Sequence, residues 1–438
     1  MKRTALIGFF LLAFWPALRA QDSNFVRQQI NQLTSRAMYG RGYAYHGDSI
    51  AAAYLIEQLA QNNLQPLEAN YLQPYSFPVH AMEGPVSVKV NGTALRGWED
   101  YVIAPFSPSA RGTFLLYPMD YRILLDQQRQ ELFFQQNKKA KDGLIYIDIT
   151  QCTDEDTLRI LNRLFNMLNR FKKAFPCRGF VVGVDEMSPW TVGLGYQPSE
   201  YLLLYMKRHI VSDKRNKLYL SYNNEIRMHH TQNICAMIPG HSIPDSMVVL
   251  TAHYDHIGMM GDDVMFPGCH DNASGTAAAL DIARHFQAHP LPYTFVLLIF
   301  SAEEAGLLGS TYFVSHPLID LGKIKMVVNL DLLCGGDDGI MVVNAKSFQT
   351  QPFYDSLMQE NERRQWVKEV KARDNAANSD HFPFTEKGVP AIFIYTLGGR
   401  YGGYHNPYDT AERASLSAYP GIANLIINTL EETFGNPR

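Results

Sequence analysis

From about residue 216 to the C-terminus, short apolar runs recur at intervals: KLYLSYN, NICAMIPG, SMVVLTAH, TFVLLIF, KMVVNLDLL, GIMVVNA and AIFIYTL. Several are continuous rather than alternating, the pattern of strands covered on both faces. Helical patterns fall between them, among them NASGTAAALDIARHFQAH and the closing SLSAYPGIANLIINTLEETFG. Strands alternating with helices predict an α/β fold, a mostly parallel mixed sheet with helices on both faces. Residues 23–64 also read as helical. Ile50, Ala53, Tyr54, Ile56 and Leu59 fall roughly on one face, with Asp48 or Ser49 as the cap and Asn63 as the stop.

Between these parts the texture differs. GPVSVKV-NG-TALRGW reads as strand, Asn-Gly turn, strand. GLIYIDI and GFVVGV are further short strands, with a charged helix from about Glu155 to Lys173 between them. Residues 84–214 are therefore expected to form an inserted, smaller α+β domain, with 21–83 and 215–438 forming the main one. A chain of 438 residues is long enough for two cores.

The first residues, MKRTALIGFFLLAFWPALRA, run from Lys2 and Arg3 through an apolar stretch to small Ala20. This predicts a signal peptide over 1–20 and export, periplasmic or secreted, with no transmembrane anchor once it is removed. A net charge of −4 argues against a nucleic-acid partner. Five cysteines, Cys152, Cys177, Cys235, Cys269 and Cys334, cannot all pair within one chain, and no CxxC marks a thiolate metal site. Small buried residues are the plainer reading, with Cys152 and Cys177 a candidate pair.

The polar residues that follow the apolar strands change the picture. His253 and Asp255 follow SMVVLTA; Asp271 and Asn272 open a helix after a glycine-rich loop; Glu303 and Glu304 follow TFVLLIFSA; Asp331 ends KMVVNL; His405 follows AIFIYTLGGRYGGY. Singly, each has an ordinary structural explanation. Ser301-x-x-Glu304 fits a capping box, Asp271 an N-cap, and His405 a turn. Together they deliver imidazoles and carboxylates to one edge of one sheet, where ligands gather in open α/β sheets. Charged groups at buried strand ends are costly without compensation. Mixed nitrogen and oxygen donors point to divalent cations, zinc first among them.

The ordered set HYDH, GCHDNASG, SAEEAGLLGS, NLDLL, SDHFPF and YHNPYDT resembles metallopeptidase family 28, the exported zinc aminopeptidases related to glutamate carboxypeptidase II and the transferrin receptor. The likeness is strong over 216–438 and weak over 23–80, and 84–214 looks like the protease-associated insert of many members. The resemblance implies two divalent metal ions, zinc, with His253 and Asp331 on one, Glu304 and His405 on the other, and Asp271 bridging. It implies that Asp255 orients His253 and that Glu303 is the general base of peptide hydrolysis. Ser379, Asp380 and His381 would line or brace the site, and Tyr401 or Tyr404 would either pack at its rim or donate a hydrogen bond to the oxyanion. His256 and His270 are given no metal. Cys269 stands where the family resemblance leads us to expect alanine, and Cys334 follows Asp331 closely; each is either inert packing or half of a disulfide beside the metals.

Peptides are the expected substrates. Two rivals share the fold: a one-zinc glutaminyl cyclase, and a non-catalytic binding module. The intact His253 and HDNASG segment look more like the two-metal hydrolases. A carboxypeptidase or dipeptidase needs an arginine cluster, for which Arg400 stands alone. Asn91 and Asn272 begin N-x-S/T sequons.

Overall fold

The structure, a computed structural model, describes residues 22–170, 174–197, 199–212, 216–398 and 403–435. The expected signal peptide at 1–20, the end of the charged helix at Lys173, and Arg400 and Tyr401 lie outside the described residues. The described residues form two main sheets.

The larger, nine-stranded sheet is built from β1 (Gln65–Pro66), β2 (Leu72–Ala81), β3 (Glu225–Ile238), β4 (Ile243–His253), β5 (Tyr293–Phe300), β6 (Ile324–Leu330), β7 (Gly339–Val343), β8 (Val370–Arg373) and β9 (Ala391–Leu397). Their order is β1-β3-β5-β4-β6-β9-β7-β8, with β2 also paired to β3. The centre, β5-β4-β6-β9, is parallel. Antiparallel pairs flank it, β3 on β5 at one side and β7 on β9 at the other. The sheet is thus mixed, with its parallel part where the site lies.

Side-chain alternation decides which face each core residue serves. Along β5, Phe295, Leu297 and Ile299 join one core with residues of α1 (Ser23–Leu33), α2 (Gly47–Gln61), α3 (Ser274–Ala288), α5 (Gln351–Arg364) and α7 (Tyr419–Phe434). Val296, Leu298 and Phe300 join a second core with Phe313 of α4 (Leu308–Ser315) and Phe384 of α6 (His381–Glu386). Helices on both faces explain why the strand is continuously apolar.

Asp48 does not cap α2, which begins at Gly47. Its buried carboxylate instead meets His229 Nε2 at 2.7 Å and accepts from Thr231 Oγ1 at 2.8 Å, tying α2 to β3. Capping residues and buried pairing acids look alike in sequence, because both precede an apolar periodic stretch.

The smaller sheet has eight strands between Ser87 and Tyr222. Its Asn91-Gly92 turn has φ of 51° and 90°, the left-handed pair that a tight hairpin requires. Lys217–Tyr222, grouped by its sequence with the larger sheet, lies between Ser87–Val90 and Ala110–Pro118 in the smaller one. Leu218, Leu220 and Tyr222 point into a core with Val88, Val90 and Trp98. A half-buried strand beside a boundary carries no mark of which sheet it joins. No helix among the described residues is long and apolar enough to cross a membrane.

Candidate metal centre

Each segment that ends at the carboxyl edge of the parallel strands contributes a polar group. His253 is the last residue of β4, Asp331 follows β6, and Glu303 and Glu304 lie in the turn between β5 and α4. Asp271 lies in the turn Cys269–Ala273 that feeds α3. His405 lies on the loop between β9 and α7, so the convergence expected from sequence is present.

His253 Nε2 is 3.4 Å from Asp271 Oδ1 and 3.4 Å from Asp331 Oδ2. His405 Nε2 is 3.1 Å from Asp271 Oδ2 and 3.0 Å from Glu304 Oε2. Asp271 therefore turns one oxygen toward each histidine. Ligands of a tetrahedral ion at 2.0–2.1 Å stand about 3.3 Å apart, so these separations suit a shared cation. His253 Nε2 and Asp331 Oδ1 are buried and have no hydrogen-bond partner, as expected of atoms reserved for a metal. Two groups of potential ligands stand together: His253, Glu303 and Asp331, and His256, Asp271, Glu304 and His405.

The tautomers are set from behind. His253 Nδ1 lies 3.2 Å from the carbonyl of Asp255, and His405 Nδ1 lies 3.0 Å from the carbonyl of Trp190. An N–H donated there leaves Nε2 of each ring facing the site. The Asp255 carboxylate has a wider task than the expected orientation of His253. Its Oδ1 is 3.6 Å from His253 Nδ1, while Oδ1 and Oδ2 accept the backbone N–H groups of Glu303 and Glu304 at 3.2 and 3.3 Å. Tyr43 Oη donates to Asp255 Oδ2 at 2.7 Å. The turn between β5 and α4 is thus capped by an acid just beyond the end of β4, and Glu304 is no capping-box residue.

Asp331 is aimed by a buried relay. Thr251 Oγ1 donates to Asn329 Oδ1, Asn329 Nδ2 donates to Ser379 Oγ, and Ser379 Oγ donates to Asp331 Oδ2, at 2.7, 2.8 and 2.8 Å. Of the SDH segment, Ser379 therefore touches a prospective ligand. Asp380 is buried, and burial pushes its carboxyl up to about 7. Tyr404 stacks on His405 with centroids 3.9 Å apart, the rim packing expected of it. Asn272 is fully buried and donates to the carbonyl of Leu330, so its sequon is closed to modification.

Several positioning residues escaped the sequence reading. His256 Nδ1 sits 2.7 Å from Glu304 Oε1, fixing that carboxylate so that Oε2 faces His405. Asp409, inside YHNPYDT, accepts the backbone N–H groups of His270 and Asp271 at 2.7 and 3.2 Å. Trp190, from the smaller sheet's module, holds His405 twice: its carbonyl faces Nδ1, and its N–H donates to the carbonyl of His405 at 3.1 Å. Its ring stacks on Phe266 at 4.9 Å. Nothing in SPWTVG signals this role.

Arg41 is fully buried and donates to five carbonyls, those of Tyr254, Leu33, Pro267, Gly268 and Asp271. It gathers the loop that carries Asp271. Its neighbours are glycines of necessity: a Cβ on Gly42 would lie 2.3 Å from Gly258 Cα, and one on Gly40 would lie 2.4 Å from the Phe266 carbonyl oxygen. A charged residue between two glycines in a linker was the available signal. Arg41→Met leaves those carbonyls buried without donors, and we expect a loss of about 3–5 kcal/mol. Urea unfolding at constant slope measures it.

The charges respond to one another. Burial lowers the His405 imidazole, but Glu304 and Asp271 outweigh it and push it up to about 11. Burial lowers His253 too, and Asp331 and Glu303 hold it well above its ordinary value. Burial raises Glu304, yet His405 and His256 hold it well below the carboxylate range. Burial pushes Glu303 well above that range; His253 opposes and Glu304 adds.

Residues 233–430 match the model of Peptidase family M28. Aminopeptidase YwaD of Bacillus subtilis (strain 168) is 29% identical over 196 residues, 43% of this chain and 41% of its own. A probable zinc metalloprotease of Pyrenophora tritici-repentis is 33% identical over 103 residues, 23% of this chain and 21% of its own. The chain thus spans less than half the length of these curated relatives. A zinc aminopeptidase from Bacillus subtilis superposes with a TM-score of 0.68 at 20% identity, covering 95% of this chain and 96% of that one. A Peptidase M28 precursor from Shewanella amazonensis SB2B gives 0.66 at 17% identity, covering 96% and 95%. At such identities the superpositions show the fold. The family match covers every prospective ligand from His253 to His405.

Proposed function

We propose that the protein is an exported dinuclear zinc exopeptidase, an aminopeptidase that hydrolyses N-terminal peptide bonds. The observation that carries this reading is Asp271, whose two oxygens face His253 and His405 separately. His253 and Asp331 would hold one ion, Glu304 and His405 the other, with Asp271 shared. Bound there, the ions polarise the scissile carbonyl and make water a better nucleophile near neutral pH. Glu303 takes the proton from the attacking water as its oxygen bonds to the carbonyl carbon. It then gives that proton to the amine as the carbon–nitrogen bond breaks. Asp255 keeps Glu303 and Glu304 in their shared turn, one free to move protons and the other committed to metal.

The Bacillus relative and the Bacillus structure are both named aminopeptidases, which supports that activity over other exopeptidases. The N-terminal run from Lys2 to Ala20 supports export. The smaller module acts as a protease-associated-like insert that braces His405 through Trp190.

The test is hydrolysis of a panel of amino-acid anilides. Chelation abolishes it and zinc restores it; turnover that survives a strong chelator contradicts the proposal. A pH dependence follows from the imidazoles. In chelator-stripped protein, the raised pKa values of His253 and His405 give stability that is fully present below about 6.5. That stability is lost as pH rises through the folded values, about 11 for His405. Zinc needs neutral imidazole, so uptake near pH 7 releases protons and affinity keeps rising with pH toward the folded values. Titration calorimetry in buffers of different ionisation enthalpy reads the release; zinc affinity independent of pH contradicts it.

A further inference from the structure

Two thiols that the proposed reaction does not use face each other behind the metal-ligand loops. Cys269 opens the turn that carries Asp271, and Cys334 lies just beyond Asp331 on the segment leaving β6. Both are buried, and their sulfurs are 3.7 Å apart. The backbone around them is already laced. Cys334 N donates to His270 Nδ1 at 3.1 Å, and Leu333 N donates to Ser274 Oγ at 2.8 Å. Ser274 Oγ donates in turn to the carbonyl of His270 at 2.8 Å, and Thr396 Oγ1 to that of Cys334 at 3.1 Å. Reaching a disulfide's length of about 2.05 Å asks the two side chains to share a shift of about 1.7 Å. The other three thiols are placed elsewhere. Cys235 lies in the core on the opposite face of the sheet, and Cys152 and Cys177 belong to the smaller module, where they are not joined to each other. Neither group of potential metal ligands among the described residues includes Cys269 or Cys334, which favours a crosslink over a thiolate metal site.

We propose that Cys269 and Cys334 form a disulfide as the chain folds in an oxidising compartment, stapling the Asp271 turn to the Asp331 segment. The setting rests on the export reading. The consequence for metal retention rests on the proposed zinc site. The oxidant is a disulfide donor, either glutathione disulfide or a protein Cys-x-x-Cys disulfide. One protein thiolate bonds to a donor sulfur and expels the first donor thiol; the second attacks that mixed disulfide and expels the other. Two protein thiols are oxidised, one donor disulfide is reduced, and both protons end on the donor thiols. Because both sulfurs are buried, exchange takes place before the loops close. The crosslink spans 65 residues and fixes two ligands that otherwise sit on independent segments.

The full chain is refolded in a glutathione redox buffer, alkylated in denaturant and mapped by mass spectrometry without reductant. The proposal expects one peptide pair joined through Cys269 and Cys334, with Cys152, Cys177 and Cys235 alkylated. Five alkylated thiols, or a crosslink through any other cysteine, overturn it. Zinc loss to a chelator is then compared in oxidised and reduced protein. We expect it to be about tenfold slower when oxidised, in line with supports that act through a ligand's surroundings. The redox difference should vanish in C269A/C334A. Equal loss from both forms overturns the stapling role. Zinc uptake by neither form sinks the metal reading instead, while the mass map still decides the crosslink.

Discussion

Replacing Glu303 by Gln should leave zinc content unchanged and reduce kcat by about 100- to 10,000-fold, the usual range for removing a general base. The amide keeps the size and the turn, because the backbone N–H of residue 303 still donates to Asp255 Oδ1. It loses only the ability to accept a proton. Glu304→Gln is the contrasting control. Glu304 stands 3.0 Å from His405 and 2.7 Å from His256, so its substitution should release metal as well as turnover. Metal loss from Glu303→Gln, with retention in Glu304→Gln, would mean that the adjacent glutamates have been assigned the wrong way round. Paired metal analysis and steady-state kinetics on one preparation read both quantities.

Asp271→Ala should have the second large effect. Its two oxygens stand 3.4 Å from His253 and 3.1 Å from His405, so one substitution withdraws a ligand from both halves of the site. Both ions should bind more weakly, and turnover should fall at least as far as with Glu303→Gln. The alanine variant should not unfold. Burial and Glu304 raise the Asp271 carboxyl, but His405 and His256 outweigh them and hold it below its ordinary value, so the substitution should cost stripped protein some stability at neutral pH without unfolding it. Equilibrium dialysis against zinc, with thermal unfolding of stripped protein as the folding control, separates lost affinity from lost structure. Retention of both ions at wild-type affinity would contradict a bridging role.

His405, inside the loop between β9 and α7, was legible only through its YHNPYDT motif, but the other prospective ligands were legible because each sits near where a buried strand ends or a helix begins. At such points hydrophobic periodicity stops at a charged residue, and position follows from topology. What supports the ligands was less legible. His256 looked like a neighbour of a ligand, because whether a side chain faces the site depends on how the chain turns after β4. Asp48 looked like a cap because its partner, His229, lies 181 residues away. Trp190 left no trace, since it works through its backbone N–H and carbonyl, which every residue type except proline offers in full. Arg41 was visible in principle, as a charge between glycines, but four of its five carbonyl partners, Tyr254, Pro267, Gly268 and Asp271, lie more than 200 residues away. The module boundary failed for a related reason: Lys217–Tyr222 is half-buried in the smaller sheet, and its pattern names no partner.

The most direct measurement is anomalous scattering from crystals of the zinc-loaded protein at the zinc edge. Two peaks are predicted. One should lie within about 2.2 Å of His253 and Asp331, the other within the same distance of Glu304 and His405, with Asp271 reaching both. A single peak held by only one of these ligand pairs, or density beside His256 with His405 turned away, would contradict the account.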